Sequence, residues 1–268
     1  MALTIAGSDS GGGAGIQADL RTFAALRVFG TSAITGLTAQ NTTSVTRIEL
    51  ASPEMVAAQI AAVLDDFPIA AAKTGMLGDA RVIGAVAAIL RERRIAKLVV
   101  DPVMISKSGA ALLAPDAVGA FVEGILPLAH IVTPNLPEAE ALAKRPVDTP
   151  ARVLDAAKAI ADLGPAFVVV KGGHAAGDVV EDLIWDGREA HRVSGLRLDT
   201  RSTHGTGCTL SAAITAWLAR GLVPVESVRR ARTFVEGSLA AARPLGKGHG
   251  PTHQMFAYYP WDETPTRG

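Results

Sequence analysis

Short runs of β-branched and apolar residues recur along the chain. Each empties into Gly, Pro, Asn or Asp and then into a stretch whose apolar residues follow helical spacing. The runs are ALTIAG (2–7), SAITGL (32–37), IAAAKTG (69–75), KLVVDPV (97–103), HIVTPN (130–135) and AFVVVKGG (166–173). The stretches between them predict helices near 15–27, 53–66, 79–93, 115–126, 136–144 and 150–163. Ser52-Pro53 and Thr149-Pro150 put proline at the first helical position, where its missing N–H is no loss. Strands this short and apolar suit burial on both faces. Their alternation with helices predicts βαβ units, hence an α/β fold with a central, mostly parallel sheet flanked by helices on both faces, a three-layer αβα arrangement.

The rhythm changes after residue 175. VVEDLIWDGREAHRVSG reads as two strands joined at Asp186-Gly187, a hairpin signal. Two helices follow, near 206–220 and 225–241. No linker, charge run or internal repeat divides the chain, so residues 1–268 read as a single domain. A tail after about 243 is expected to wrap the surface, with its last residues frayed.

Composition narrows the function classes. With formal net charge zero, 49% hydrophobic and 19% charged residues, this is an ordinary globular balance, and neither nucleic acid nor an anionic membrane is an expected partner. One cysteine forbids an intrachain disulfide, and without close Cys/His pairs a structural zinc site is not expected. The opening MALTIAGSDS lacks a basic segment, and its apolar run is too short for a signal peptide; a cytoplasmic protein is the expectation.

Ligands of open α/β sheets bind outside the carboxyl ends of the strands, so polar residues just after each run count most. They are Ser8-Asp9, Gln40-Asn41, Lys73-Thr74, Asp101, Thr133 to Asn135, Glu138 and Lys171. Any one of them is explained by a turn or a cap; the whole series is not. GSDSGGGAGIQAD (7–19) is a glycine-rich strand-to-helix turn, and GAGIQA (13–18) satisfies a loose dinucleotide pattern. The ribose-binding acid expected about twenty residues on is missing, since after Asp19 the next acid is Glu49. Close approach of the backbone to a small substrate explains these glycines equally well.

THGTGC (203–208) is a sharper signal. The N–H groups of Gly205, Thr206 and Gly207 are spaced to converge as an anion nest, reinforced by the positive end of the next helix. Cys208 in that first turn is expected to have its thiol pKa lowered; as a buried small hydrophobe it would have no such role. Asp101 after one strand and Glu138 at a helix start offer hard oxygens suited to Mg²⁺ held partly through water and phosphate. Lys171, framed by FVVV and GGH, is placed to reach phosphate oxygens. Glu140, two residues from Glu138, falls on another helix face and is expected to meet solvent.

AGSDSGGGAGIQAD, TGLTAQNT, KTGML, DPVM, KSG (107–109), TPNLPEAE, KGGH and THGTGCTLSAAI occur in this order over nearly the whole chain. Together they resemble the hydroxymethylpyrimidine/phosphomethylpyrimidine kinases of thiamin biosynthesis, in the ribokinase-like superfamily. The resemblance implies a ribokinase-like fold, commonly homodimeric, using Mg²⁺-ATP to phosphorylate a pyrimidine hydroxymethyl group and then the resulting monophosphate. It implies Gln40 on the aminopyrimidine, with Gly7, Asp9 and Met76 lining the same pocket. Asp101 and Glu138 would be the Mg²⁺/phosphate pair, Thr133 and Asn135 their neighbours, and Lys171 the phosphate lysine. Gly205, Thr206 and Gly207 would form the anion hole, with Cys208 as catalytic base. The hairpin after 180 and the segment before THGTGC would form the nucleotide edge of the cleft. Most ribokinase-like enzymes carry aspartate where Cys208 stands, which argues against a sugar kinase. Pyridoxal/pyridoxine kinases share the fold and are the alternative; a non-catalytic pyrimidine-binding sensor is a third reading, disfavoured by the retained phosphoryl-transfer residues.

Overall fold

The six apolar runs all become strands of one sheet in the computed structural model, which describes residues 1–104, 109, 112–174 and 177–261. Lys107 and Ser108 of the KSG stretch, and 262–268 of the tail expected to fray, lie outside the described residues. The strands are β1 (Ala2–Asp9), β2 (Gly30–Gln40), β3 (Val45–Leu50), β4 (Ala71–Thr74), β5 (Leu98–Val100), β6 (Ile131–Val132), β7 (Phe167–Val170), β8 (Val179–Trp185) and β9 (Ala190–Leu196). Their order across the sheet is β3-β2-β1-β4-β5-β6-β7-β8-β9. From β2 to β7 every pairing is parallel, and the antiparallel pairings are confined to the two margins.

The helices are α1 (Gly15–Ala25), α2 (Pro53–Asp66), α3 (Ala80–Glu92), α4 (Val118–Gly124), α5 (Leu136–Ala143), α6 (Pro150–Ala161), α7 (Thr206–Ala219) and α8 (Pro224–Ala240). Side chains alternate across each strand, so one strand serves both faces. Leu98 and Val100 pack in the core shared with α2 to α6, whereas Val99 packs with α1, α7 and α8. The sheet is thus covered on both sides, as its unbroken apolar runs predict. The proline-led helices start as expected: Ser52 Oγ accepts the Met55 N–H at 3.2 Å, and Thr149 Oγ1 accepts that of Arg152 at 3.3 Å. Asp186 turns the β8–β9 hairpin by accepting the N–H groups of Arg188 and Glu189.

Three features differ from expectation. The β3 strand was not predicted, because none of its residues is buried and VTRIEL carries no apolar run. The helix expected over 115–126 is broken into 3₁₀ turns on either side of α4, and Pro127 interrupts its C-terminal end. The tail does more than wrap the surface. Thr252, His253 and Gln254 are buried, and the segment brackets the loop before α7: His204 N–H donates to Gly250 O at 2.9 Å, and Thr252 N–H to His204 O at 3.2 Å. Among the described residues no helix is long and apolar enough to cross a membrane.

Candidate active site

Because β1, β2 and β4 to β7 run parallel, their carboxyl ends share one edge. Asp9, Gln40, Lys73, Asp101, Thr133 and Lys171 all lie there. A bridge between Asn135 and Lys171, and the Lys171 N–H donated to Pro134 O at 2.8 Å, bring the segments after β6 and β7 side by side.

Lys171 Nζ donates to Asp101 Oδ1 at 2.9 Å and lies 3.8 Å from Glu138 Oε2. Thr133 Oγ1 donates to Asp101 Oδ1 and Ser211 Oγ to Asp101 Oδ2, both at 3.3 Å. Asn135 caps α5 in a reciprocal box: its Oδ1 accepts the Glu138 N–H at 2.9 Å, and its own N–H donates to Glu138 Oε2 at 2.8 Å. The five residues expected to form a phosphate and cation site therefore meet, and Glu140 is exposed as expected. Burial would raise the Asp101 carboxyl, but Lys171, Lys73 and the Thr133 hydroxyl hold it below its usual range. Burial wins at Glu138, which stays above its usual value despite Lys171. Lys171 is itself pushed up, as Asp101 and Glu138 outweigh its own burial, and it remains an ammonium.

The loop before α7 closes over this cluster. Gly205 is the N-cap with φ 82°, a left-handed conformation in which any side chain would be strained. A Cβ on Gly205 would also collide with Gly13 O, and one on Gly13 with the His204 ring. The two glycine turns are thus interlocked. A Cβ placed on Gly207 would lie 3.5 Å from Lys171 Nζ and 3.7 Å from Asp101 Oδ2, so the α7 terminus faces the charged cluster directly. One nest member is partly engaged: the Thr206 N–H donates to Thr203 O at 3.3 Å, and the N–H groups of Gly205, Gly207 and Cys208 have no acceptor among the described residues. Cys208 contradicts its expected acidity. Burial pushes the thiol up to about 11; Lys73 and the Gly15 N–H pull the other way, while Asp19 and Asp101 add to the rise. In the free protein it is a thiol, because burial of the sulfur in this half-exposed residue outweighs the pull of the helix end.

On the opposite side, Gly7 and Met76 meet as expected: a Cβ on Gly7 would stand 2.5 Å from Met76 Cε. Asp9, expected to line the same pocket, also organises the first turn. Its Oδ1 accepts the Gly11 N–H at 2.8 Å, and its Oδ2 accepts those of Gly13 and Ala14 at 3.0 and 2.9 Å. His204 Nε2 sits 2.8 Å from the same Oδ2 and 3.0 Å from the Gln40 amide nitrogen. Burial would raise the Asp9 carboxyl, yet His204 and these N–H donors hold it below its ordinary value. Its stabilisation is therefore complete above the unfolded value and lost as pH falls below it. Asp9→Ala is expected to cost about 2–3 kcal/mol at neutral pH, since three N–H groups and His204 lose their acceptor. In denaturation curves that gap should close below about pH 4; a gap independent of pH would refute the assignment.

Three partners were not anticipated. His204 lies inside a quoted motif but had no role until it was found between Asp9 and Gln40. Ser211, one turn into α7, reaches Asp101. Asp19 pairs with Lys73 at 2.8 and 2.9 Å, both fully buried. A signal for that pair exists: Asp19 falls between Ile16 and Phe23 on the buried face of α1, and Lys73 interrupts an apolar strand. An apolar recess of about 740 Å³, lined by Leu196, Leu198, Trp217 and α8 residues, shares no residue with the polar cluster.

The sequence model of the family described as phosphomethylpyrimidine kinase matches residues 9–253. The chain is 49% identical to a hydroxymethylpyrimidine/phosphomethylpyrimidine kinase of Rhizobium meliloti, over 97% of this chain and 98% of that one. Among solved structures it resembles the ADP complex of Bacillus subtilis pyridoxal kinase, with TM-score 0.89 and 37% identity over 96% of this chain and 98% of the other. It also resembles a phosphomethylpyrimidine kinase of Clostridium difficile, with TM-score 0.79 and 40% identity over 88% and 97% of the two chains.

Proposed function

The chain belongs to the phosphomethylpyrimidine kinase family, and from that premise we propose that it transfers the γ-phosphoryl group of ATP to 4-amino-5-hydroxymethyl-2-methylpyrimidine and then to its monophosphate. The product is the diphosphate used in thiamin biosynthesis. The observation that carries the reading is the meeting of Gly207, Lys171 and Asp101 at the mouth of the anion turn. Phosphoryl transfer asks for alignment and charge neutralisation more than for covalent chemistry, and this cluster offers both. ATP as donor is supported by kinases of the same fold crystallised with ADP or AMP-PCP.

In this reading Lys171 and the N–H groups of Gly205, Gly207 and Cys208, with Thr206 between them, hold the phosphate chain and take up charge as it moves toward ADP. Thr133 and Asn135 act one step back: the first steadies Asp101, the second fixes Glu138. Asp101 and Glu138 suit Mg²⁺ in chemistry, being two buried carboxylates with hard oxygens beside one ammonium. When bound, the ion would neutralise phosphate charge. Gln40 offers a donor and an acceptor to the aminopyrimidine; Gly7 and Met76 pack on the ring, and Asp9 keeps the turn in shape. As the substrate oxygen bonds to phosphorus and the bond to ADP breaks, the hydroxyl proton passes to Cys208 Sγ in the fraction of molecules where it is a thiolate, leaving the thiol. The same reading takes the protein as a cytoplasmic homodimer in which each chain is one catalytic domain.

The likeness to pyridoxal kinase keeps a second substrate in view, since pyridoxal also carries a hydroxymethyl group on a nitrogen heteroaromatic ring. An ATP-consumption assay decides. Turnover is expected with hydroxymethylpyrimidine and with its phosphate, and Gln40→Ala should lower kcat/KM for the pyrimidine more than for pyridoxal. Higher kcat/KM with pyridoxal in the unmodified protein would reverse the substrate assignment, and no ATP consumption with either would favour the sensor reading.

A further inference from the structure

Asp182 is a buried charge that the reaction scheme leaves without a task. Side chains alternate across β8, so Asp182 shares a face with the buried apolar Val180 and Ile184. A carboxylate in that company costs desolvation that only well-placed partners offset. It has two. Oδ2 accepts Arg232 Nη1 of α8 at 3.1 Å, and Oδ1 accepts the Gly172 N–H at 2.8 Å. The ion pair is a weak reason for the residue, because apolar side chains of similar volume stabilise a fold as well or better. The second contact is more informative. Lys171 is the single residue between the end of β7 at Val170 and a 3₁₀ turn at Gly172–His174. The first N–H groups of a helical turn have no partner within it, and Asp182 supplies one from another strand. A Cβ on Gly172 would collide with Glu181 O, so this turn lies directly against β8. Since the Lys171 N–H donates to Pro134 O at 2.8 Å, the peptides on both sides of the Lys171 Cα are fixed.

We propose that Asp182 is a positioning residue for Lys171: by accepting the Gly172 N–H it fixes the backbone from which the ammonium reaches Asp101, 2.9 Å away, beside the anion turn. Arg232 keeps the carboxylate in place and has no part in the chemistry. The inference rests on Lys171 serving the transferred phosphate, the function proposed above.

The ion pair and the acceptor can be separated. Asp182→Asn/Arg232→Met removes both charges and keeps an oxygen for Gly172, whereas Asp182→Leu/Arg232→Met removes the oxygen as well at nearly the same volume. The asparagine form should keep most of its turnover. In the leucine form kcat is expected to be roughly 10- to 100-fold lower, the scale of a displacement of about 1 Å at a reacting centre, with KM for the pyrimidine unchanged. If the leucine form does not fold, Asp182→Ala/Arg232→Met removes the same acceptor and carries the same expectation. Equal kcat in the folded asparagine and leucine forms would overturn the proposal. So would an asparagine form that loses as much as the leucine form, since charge rather than the acceptor would then decide. In a Lys171→Met background the exchange of asparagine for leucine should cost nothing further; an undiminished cost there would show that Asp182 does not act through Lys171. Hydrogen exchange at the Gly172 amide, followed by NMR, should be faster in the leucine form and needs neither ATP nor pyrimidine. Failure of the kinase reading would therefore show as absent ATP consumption by the unmodified protein, with that difference in exchange intact.

Discussion

Cys208→Ala is expected to lower kcat by roughly 10²- to 10⁴-fold, the range associated with loss of a positioned proton acceptor. KM for the pyrimidine should change little, because in the proposed function the ring falls to Gln40 and Met76 rather than to the sulfur. The raised thiol sharpens the test. Since burial pushes Cys208 up to about 11, only a small fraction is thiolate near neutrality. Activity of the unmodified protein should therefore climb with pH through the alkaline range, and the alanine variant should lose that climb. Cys208→Asp restores an acceptor that is ionised at neutral pH and should flatten the profile while retaining more turnover than alanine. Single-turnover kinetics across pH would check all three. An alanine variant with unchanged kcat would remove Cys208 from the chemistry.

Lys171→Met should act on two quantities at once. It takes the cation away from Asp101 and Glu138, which lie 2.9 and 3.8 Å from Nζ and are both buried. Transition-state charge would lose one of its stabilisers, and kcat/KM is expected to fall by about 10²- to 10³-fold. Folding should lose about 3–5 kcal/mol as well, because removing one partner strands the others without compensation. The sign of the pH effect follows. Without Lys171 the two carboxyls are raised by burial and by each other, and a raised carboxyl stabilises the fold only below its folded value. The stability deficit should therefore narrow as the solution is acidified, measured by denaturant titration at several pH values. An unchanged Tm with intact activity would show that Lys171 is an incidental neighbour.

Much of this molecule was legible without coordinates because its strands are apolar on both faces and each ends on a polar residue. KLVVDPV announces both a buried strand and the acid that follows it, and Lys171 stands out in the same way after FVVV. The reading failed where the decisive partner is far away in sequence or where the pattern is weak. The margin strand VTRIEL is exposed on both faces and has no core to fill, so it looks like any polar loop. Asp19 and Lys73 each stand out as a charge on a buried face, but nothing local pairs them, since the two meet only when β4 is laid beside β1. The acidity expected of Cys208 rested on the helix end, which is local. The burial that reverses it comes from the sheet and from α1, which a local reading does not weigh. His204 looked like part of a loop motif; its contact with Asp9 spans 195 positions.

That last contact bears on how the protein is made. The turn at residues 9–15 leaves the ribosome early, and the loop at 203–208 that interlocks with it leaves late. The loop is in turn pinned on both sides by Gly250 and Thr252. A growing chain can lay down its central strands long before, yet it has no complete anion turn until the final segment is released. A chain ending before residue 250 lacks both backbone anchors of that loop and is expected to be inactive in the ATP-consumption assay however much of the sheet it contains.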